Sequence, residues 1–313
     1  MPIFLAIFER RHSLLKNKKT AIVLSIFAMF LWGSAIPTIK TTYGLLGISG
    51  GQTGLKILVA GIRFFMAGII TLAYFRIFSK ESFEKSTINW KFIIVLGILQ
   101  TAIQYLFYYI GLSNTAGVKS SIIQAANSFI VVIISFFILP GDKISKKMII
   151  ALILGTLGII ITNKGSASDA TPMKLTGEGF ILISTTVNAL CTVLIRKYGK
   201  GQNSFVLTGF QFLFGSTLLI IAGLILKEAD LVFNTKALLL LIYGAFISAT
   251  SFSIWTSVLK TYSASEFGVY KLFIPLFGSI LSVIVLGESF TLNLAIGMVL
   301  VLSGSLILNI NKK

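Results

Sequence analysis

"AGIRFFMAG" at residues 60–68 returns, altered but recognisable, as "TGFQFLFGS" at residues 208–216. Gly61 falls on Gly209 and Phe64 on Phe212, a shift of 148. Further out, Gly97 and Gly244 open similar stretches at a shift of 147, and "PGDKIS" (140–145) matches "LGESFT" (286–291) at 146. That last shift continues through Gly158/Gly304 and Asn163/Asn309. A nearly constant offset across several separated segments reads as an internal duplication, weakest at the start of each copy.

Each copy is strongly apolar. The chain has 313 residues, 55% hydrophobic and 12% charged, where a soluble protein carries about 25% charged residues. Apolar runs long enough to cross a bilayer recur throughout, so the expected class is an all-α polytopic membrane protein. Ten transmembrane helices are expected, at roughly 20–41, 54–77, 91–112, 116–139, 146–163, 176–196, 204–226, 236–259, 264–286 and 292–310. Five spans per copy is an odd number, so the second copy enters the membrane with opposite polarity. Two inverted five-helix repeats result, at 20–163 and 176–313. They are preceded by a cytoplasmic tail (1–19) and joined by an extracytoplasmic linker (164–175), "KGSASDATPMKL" from Lys164 to Leu175.

Orientation follows from the basic residues, because short loops rich in Lys and Arg stay cytoplasmic. With the N-terminus inside, 18 basic residues fall in inside segments, 7 in outside segments, and two, Arg63 and Lys271, within spans. Both termini are therefore expected in the cytoplasm, in the cell membrane. This placement accounts for most of the +17 net charge, and the scatter of the lysines and arginines argues against nucleic acid as a partner. The short N-terminal "PIFLAIF" precedes the charges and lacks a cleavage site, so no cleavable signal is expected. One cysteine, Cys191, leaves no intrachain disulfide. One histidine, His12, and ten carboxylates placed mostly in loops supply no metal or catalytic cluster. An enzyme is thus disfavoured, and no cofactor or metal is expected.

Several motifs resemble the drug/metabolite transporter superfamily, specifically its ten-span EamA-type members. They are "LWGSAIP" (31–37), "GIRFF" (61–65), "GVYKLFIPLFGSILSVIVLGE" (268–288), and the Gly-acid junctions Gly141-Asp142 and Gly287-Glu288. The chain departs from the family pattern in "LPGD" (139–142), where Leu-Gly-Glu is usual, and in lacking a proline near Ser128. The resemblance covers nearly the whole chain. It implies an exporter or facilitator of small metabolites, often amino acids, with a central cavity between the repeats.

Polar residues inside the spans mark candidate cavity walls. Gln100, Gln104 and Tyr108 share a helix face in span three, and Ser248, Ser251 and Trp255 do so in span eight. Gln104/Ser251 and Tyr108/Trp255 correspond at the shift of 147. Gln124 and Asn127 in span four, and Asn188 in span six, extend the set; each alone would equally serve as glue between helices. Pro37 frees the carbonyl of Gly33 beside Trp32 and Ser34, and Pro275 frees that of Lys271; each is either a packing kink or a hinge. Lys271, ~10 Å along its span from Ala264, either snorkels to the surface or lines the cavity beside Tyr270. Arg63 lies deeper, ~14 Å from the nearer end, where a structural role bonding neighbouring carbonyls is expected. Gly141 and Gly287 are expected to end a helix in the left-handed conformation, and Asp142 or Ser145, and Glu288 or Thr291, to cap or favour the start of the next.

The mid-membrane charges are positive, and Trp32, Tyr105, Tyr108, Trp255 and Tyr270 suit an amphipathic pocket. A neutral, zwitterionic or anionic small molecule such as an amino acid is the expected substrate, moved by alternating access, with coupling to protons or facilitated diffusion both open. The lipid bilayer is the expected partner, and a monomer is compatible with this reading, the oligomeric state being left open by the sequence. The alternatives are a lipid or phosphorylated-sugar translocator, with Arg63 and Lys271 gripping phosphate, and a non-transporting membrane scaffold.

Overall fold

Asn17, Asn89, Asn203 and Asn234 each place a side-chain oxygen on the backbone N–H groups of the helix that follows, and so fix four helix starts. The computed structural model describes residues 17–79, 88–139, 146–163, 174–199, 201–261, 270–271 and 273–309. Among these the chain is helical, with no strand. The helices are α1 (Lys18–Leu45), α2 (Thr53–Phe78), α3 (Trp90–Ser113), α4 (Gly117–Ile138), α5 (Lys146–Asn163), α6 (Leu175–Tyr198), α7 (Ser204–Leu226), α8 (Thr235–Thr261), α9 (Phe273–Leu286) and α10 (Leu292–Asn309). Seven of them (α1–α4 and α6–α8) are long and apolar enough to cross a membrane, and α5, α9 and α10 hold shorter apolar helices. Large apolar side chains such as Phe137, Ile225 and Ile284 stand exposed on the outside, while Arg63, Gln100 and Gln104 are buried. That distribution suits hydrocarbon as the surrounding solvent.

The helices pair in a definite way. α2 lies along α7, α5 along α10, α4 against α9, and α1 against both α8 and α9. Small residues set the closeness of the first two pairs. A methyl group added at Gly61 would sit 2.7 Å from Ile220 and 3.1 Å from the Ser216 carbonyl oxygen. One added at Gly209 would sit 2.6 Å from Leu72 and 3.5 Å from the Gly68 carbonyl oxygen. Shifting the first pair of contacts by 148 gives the second. The α5–α10 pair behaves alike at a shift of 146: a methyl group added at Gly158 would sit 2.8 Å from the Gly297 carbonyl oxygen, and one added at Gly304 would sit 2.8 Å from that of Ala151.

Four carboxylates, Glu178, Glu228, Asp230 and Glu288, lie among the described residues, and the contacts of the three glutamates gather the junctions at one end of the bundle. Glu228 accepts from the N–H groups of Gly54 and Leu55 at the start of α2. The Gly54 N–H in particular holds this loop carboxyl below the usual carboxylate range. Glu178 accepts from the Thr115 hydroxyl and the Lys174 N–H, with Lys119 at 3.7 Å. Asn234 donates to the carbonyl of Leu45, and Lys56 to that of Gly50. Gly287, with φ 65, ends α9 in the left-handed region as expected.

Of Glu288 and Thr291, either of which is expected to start the helix after Gly287, Thr291 does so and Glu288 does not. Glu288 accepts from Gly117 and Val118 N–H at the start of α4 and pairs with Lys40 at 3.0 Å, while Thr291 serves α10. Its reach is longer than its sequence neighbourhood, because the turn after Gly287 aims it across the bundle. Pro275 is no mid-helix break: α9 begins at Phe273, so the proline sits in the first turn, where its missing N–H has no partner to lose. Pro37 lies inside α1, which runs unbroken from Lys18 to Leu45. Residues 1–16, 164–173 and 262–269, holding the tail, most of the linker and the expected start of span nine, lie outside the described residues, as does Asp142.

Candidate functional site

Two local irregularities position the candidate residues. α3 contains a π-helical stretch, Gly97–Ile103, so the regular i, i+4 face expected for Gln100, Gln104 and Tyr108 is displaced, although all three are buried. α4 is interrupted at Ala125–Ala126, where tight i+3 bonds join Gly117–Gln124 to Asn127–Ile138. The break has no proline and lies between Gln124 and Asn127. Its position plus 146 or 147 is residues 271–273, where α9 starts after the short turn at Tyr270 and Lys271.

Around the α4 break an amide chain crosses three helices. Asn127 Nδ2 donates to Asn188 Oδ1 at 3.0 Å, and Asn188 Nδ2 donates to Gln104 Oε1 at 3.1 Å. Asn127 also reaches the Thr185 carbonyl of α6 at 3.3 Å. Gln124 Nε2 approaches the Tyr108 hydroxyl at 3.4 Å. Five candidates from α3, α4 and α6 therefore converge.

A second group lies where α1 meets α8. The ring centres of Trp32 and Trp255 are 6.4 Å apart, and the ammonium of Lys271 is 5.3 Å from the centre of Trp255. Tyr270 packs on the same cluster. Lys271 is half-buried over an indole face rather than extended to the surface, an attractive placement for a cation. Ser34 belongs elsewhere on α1, hydrogen-bonded to the Tyr243 hydroxyl at 2.9 Å. Among the described residues Ser251, buried, has no hydrogen-bond partner for its hydroxyl and Gln100, also buried, has none for its side-chain oxygen, so neither is hydrogen-bonded into these two groups there.

The two groups are bridged by rings. Tyr108 meets Tyr105 at 6.1 Å, Tyr105 meets Phe64 at 3.8 Å, and Phe64 meets Phe212 at 5.3 Å. Phe212 meets Phe252 at 5.4 Å, Phe252 meets Trp32 at 5.2 Å, and Trp32 meets Trp255. Sequence reasoning missed Phe64, Phe212 and Phe252 as bridges. The signal was present in the shift, since Phe64/Phe212 and Tyr105/Phe252 are corresponding positions, but phenylalanines in an apolar helix look like ordinary lipid-facing or packing residues.

Arg63 is 4% exposed. Its guanidinium donates to the Tyr109 hydroxyl at 3.0 Å and to Ser248 Oγ at 3.1 Å, not to carbonyls as expected. Tyr109 lies beside Tyr108 in sequence but around the helix from it, so a search along one face passed it by.

The described residues thus form a bundle of apolar helices that encloses amides, aromatic rings and the cations of Arg63 and Lys271. The EamA-like transporter family model matches at residues 19–164 and again at 175–310, and the chain belongs to that family. It is 25% identical over 310 residues to the uncharacterized transporter YetK of Bacillus subtilis (strain 168), covering 96% of this chain and 90% of that one. A WAT1-related chloroplastic protein of Arabidopsis thaliana is 26% identical over 278 residues, 85% of this chain and 64% of that one. A solved crystal structure shares the fold, with TM-score 0.66 and 16% identity over 92% of this chain and 96% of that one. The family makes this a transporter rather than an enzyme, embedded in a membrane and acting on a small molecule.

Proposed function

We propose that the protein is a secondary transporter, working by alternating access, that exports small metabolites such as amino acids. Two inverted five-helix units, α1–α5 and α6–α10, move against each other about a pseudo-twofold axis in the membrane plane, with both termini in the cytoplasm and the acidic end outside. Trp32, Gln104, Tyr108, Gln124, Asn127, Asn188, Trp255, Tyr270 and Lys271 face the solute between them.

The observation that carries this reading is the twofold order of the site. The run Gln124–Tyr108–Tyr105–Phe64 becomes Lys271–Trp255–Phe252–Phe212 on shifting by 147 or 148, and it meets its counterpart at Phe64 and Phe212, whose rings are 5.3 Å apart. One arm ends beside the break in α4, and the other at Lys271, just before the start of α9. The amides and hydroxyls orient a polar group, and the rings accept an apolar one.

Purified protein in liposomes, offered radiolabelled amino acids, is expected to pass at least one of them. Flux of a phosphorylated sugar or a lipid, with none for any amino acid, would reject the substrate class.

A further inference from the structure

We propose that the π-wound stretch of α3 is a switch between the two units: it rewinds to regular α-helix when the site changes the side it faces, and in doing so joins Thr101 to Gln211. This rests on the alternating-access reading and supplies its moving part. Gly97–Ile103 is wound as a π-helix, and the Gln104 N–H bonds five residues back, to the Leu99 carbonyl. The corresponding stretch at a shift of 147, residues 244–250, lies in α8 and is α-helical throughout. Gly97 precedes Tyr105, and Gly244 precedes Phe252, by the same eight residues. These landmarks also make matching contacts. Gly97 and Gly244 abut Gln211 and Arg63, and Tyr105 and Phe252 meet Phe64 and Phe212. One segment is therefore present in two windings, and the π form is the rarer, found mostly at functional sites.

The hydrogen bonds differ with the winding. Beside the α-wound copy, Arg63 of α2 donates to Ser248 Oγ at 3.1 Å. The corresponding pair is Gln211 of α7 and Thr101 of α3. Among the described residues Gln211 Oε1 and Thr101 Oγ1 are both buried without a hydrogen-bond partner. Buried polar groups left unpaired are costly and uncommon. Two of them, one in each unit, at the places where the other copy is bonded, belong to a second arrangement in which they meet. The packing reserves this freedom for α3. α7 has Gly215 where α2 has Ala67, and a methyl group at Gly215 would collide with the Gly97 carbonyl and the Thr101 side chain. The first half of α3 and the π stretch pack on α7, while the half that follows packs on α6 and α2. Rewinding thus turns Gln104 and Tyr108, both in the amide group around the α4 break, relative to α7.

Two measurements on the full chain test the switch. In nanodiscs, Thr101→Val removes an unpaired hydroxyl and Gln211→Met an unpaired carbonyl oxygen, so neither is expected to lower the thermal unfolding midpoint. Ser248→Ala removes a bond that is made, and is expected to lower it. In membrane vesicles of either orientation, a chain carrying Cys191→Ser and Gln124→Cys is treated with an impermeant methanethiosulfonate. The thiol is expected to react from both faces. Adding Thr101→Val should slow the reaction from one face about tenfold, as for one lost hydrogen bond, and leave the other face no slower. Gln211→Met should do the same, and decides the matter if Thr101→Val does not fold. Reaction from both faces that the two variants leave unchanged overturns the switch and leaves alternating access standing, and a midpoint lowered as far as in Ser248→Ala also overturns it. Reaction from one face only, before either variant is added, rejects alternating access, and the switch falls with it.

Discussion

Lys271 rests its ammonium over Trp255, at the place where the other arm of the site has Gln124 beside Tyr108. A cation over an indole contributes roughly 0.5–2 kcal/mol, more when water is excluded. Lys271→Met should therefore slow transport about tenfold, the equivalent of ~1.4 kcal/mol, without lowering the amount inserted in the membrane. Full activity in liposomes would mean that the lysine is only a passenger. Asn188 is the middle member of the amide chain, donating to Gln104 and accepting from Asn127. Asn188→Leu takes the donor from Gln104 Oε1 and leaves Asn127 with only the Thr185 carbonyl, at about 1–3 kcal/mol in all. A fall in the thermal unfolding midpoint checks this, and an unchanged midpoint would show that the chain does not hold α3, α4 and α6 together. That these residues meet was partly legible in their polarity alone, because amides seldom sit in apolar helices without partners. Their order was not, since Asn188 joins Gln104 to Asn127 only after α6 has folded between α3 and α4.

The interruption in α4 shows what a sequence withholds at the scale of an element. Without a proline, nothing in "QAANS" (124–128) announces a break, and two alanines normally favour helix. The start of α4 is likewise set from afar: Glu288 supplies both oxygens to Gly117 and Val118, 171 and 170 residues away in sequence. Glu288→Ala should uncap α4 and release Lys40, lowering stability by about 1–3 kcal/mol, with Glu288→Gln milder because it still accepts a hydrogen bond. Equal unfolding midpoints for the three proteins would contradict this. By contrast, helix existence was well written in the sequence. Hydropathy needs only local composition, and most of the expected spans agree with helices to within a few residues; α9 is described from Phe273, the expected start of its span lying outside the described residues.

For the whole molecule, the duplication was the legible part. Gly61 and Gly209 kept their identity because each meets the neighbouring helix too closely for a side chain, which is why they stood out in two otherwise diverged stretches. The aromatic arms were less legible, since ring-for-ring substitutions such as Tyr105 for Phe252 and Tyr108 for Trp255 preserve contact while erasing identity. The account depends on the two units lying upside down relative to one another. With Cys191 replaced by serine, single cysteines are introduced at Ser166 in the linker and at Lys312 near the C-terminus. Intact cells are then treated with a membrane-impermeant maleimide. The inverted arrangement predicts labelling at Ser166 and protection at Lys312 until the membrane is opened, whereas the same response at both sites would contradict it.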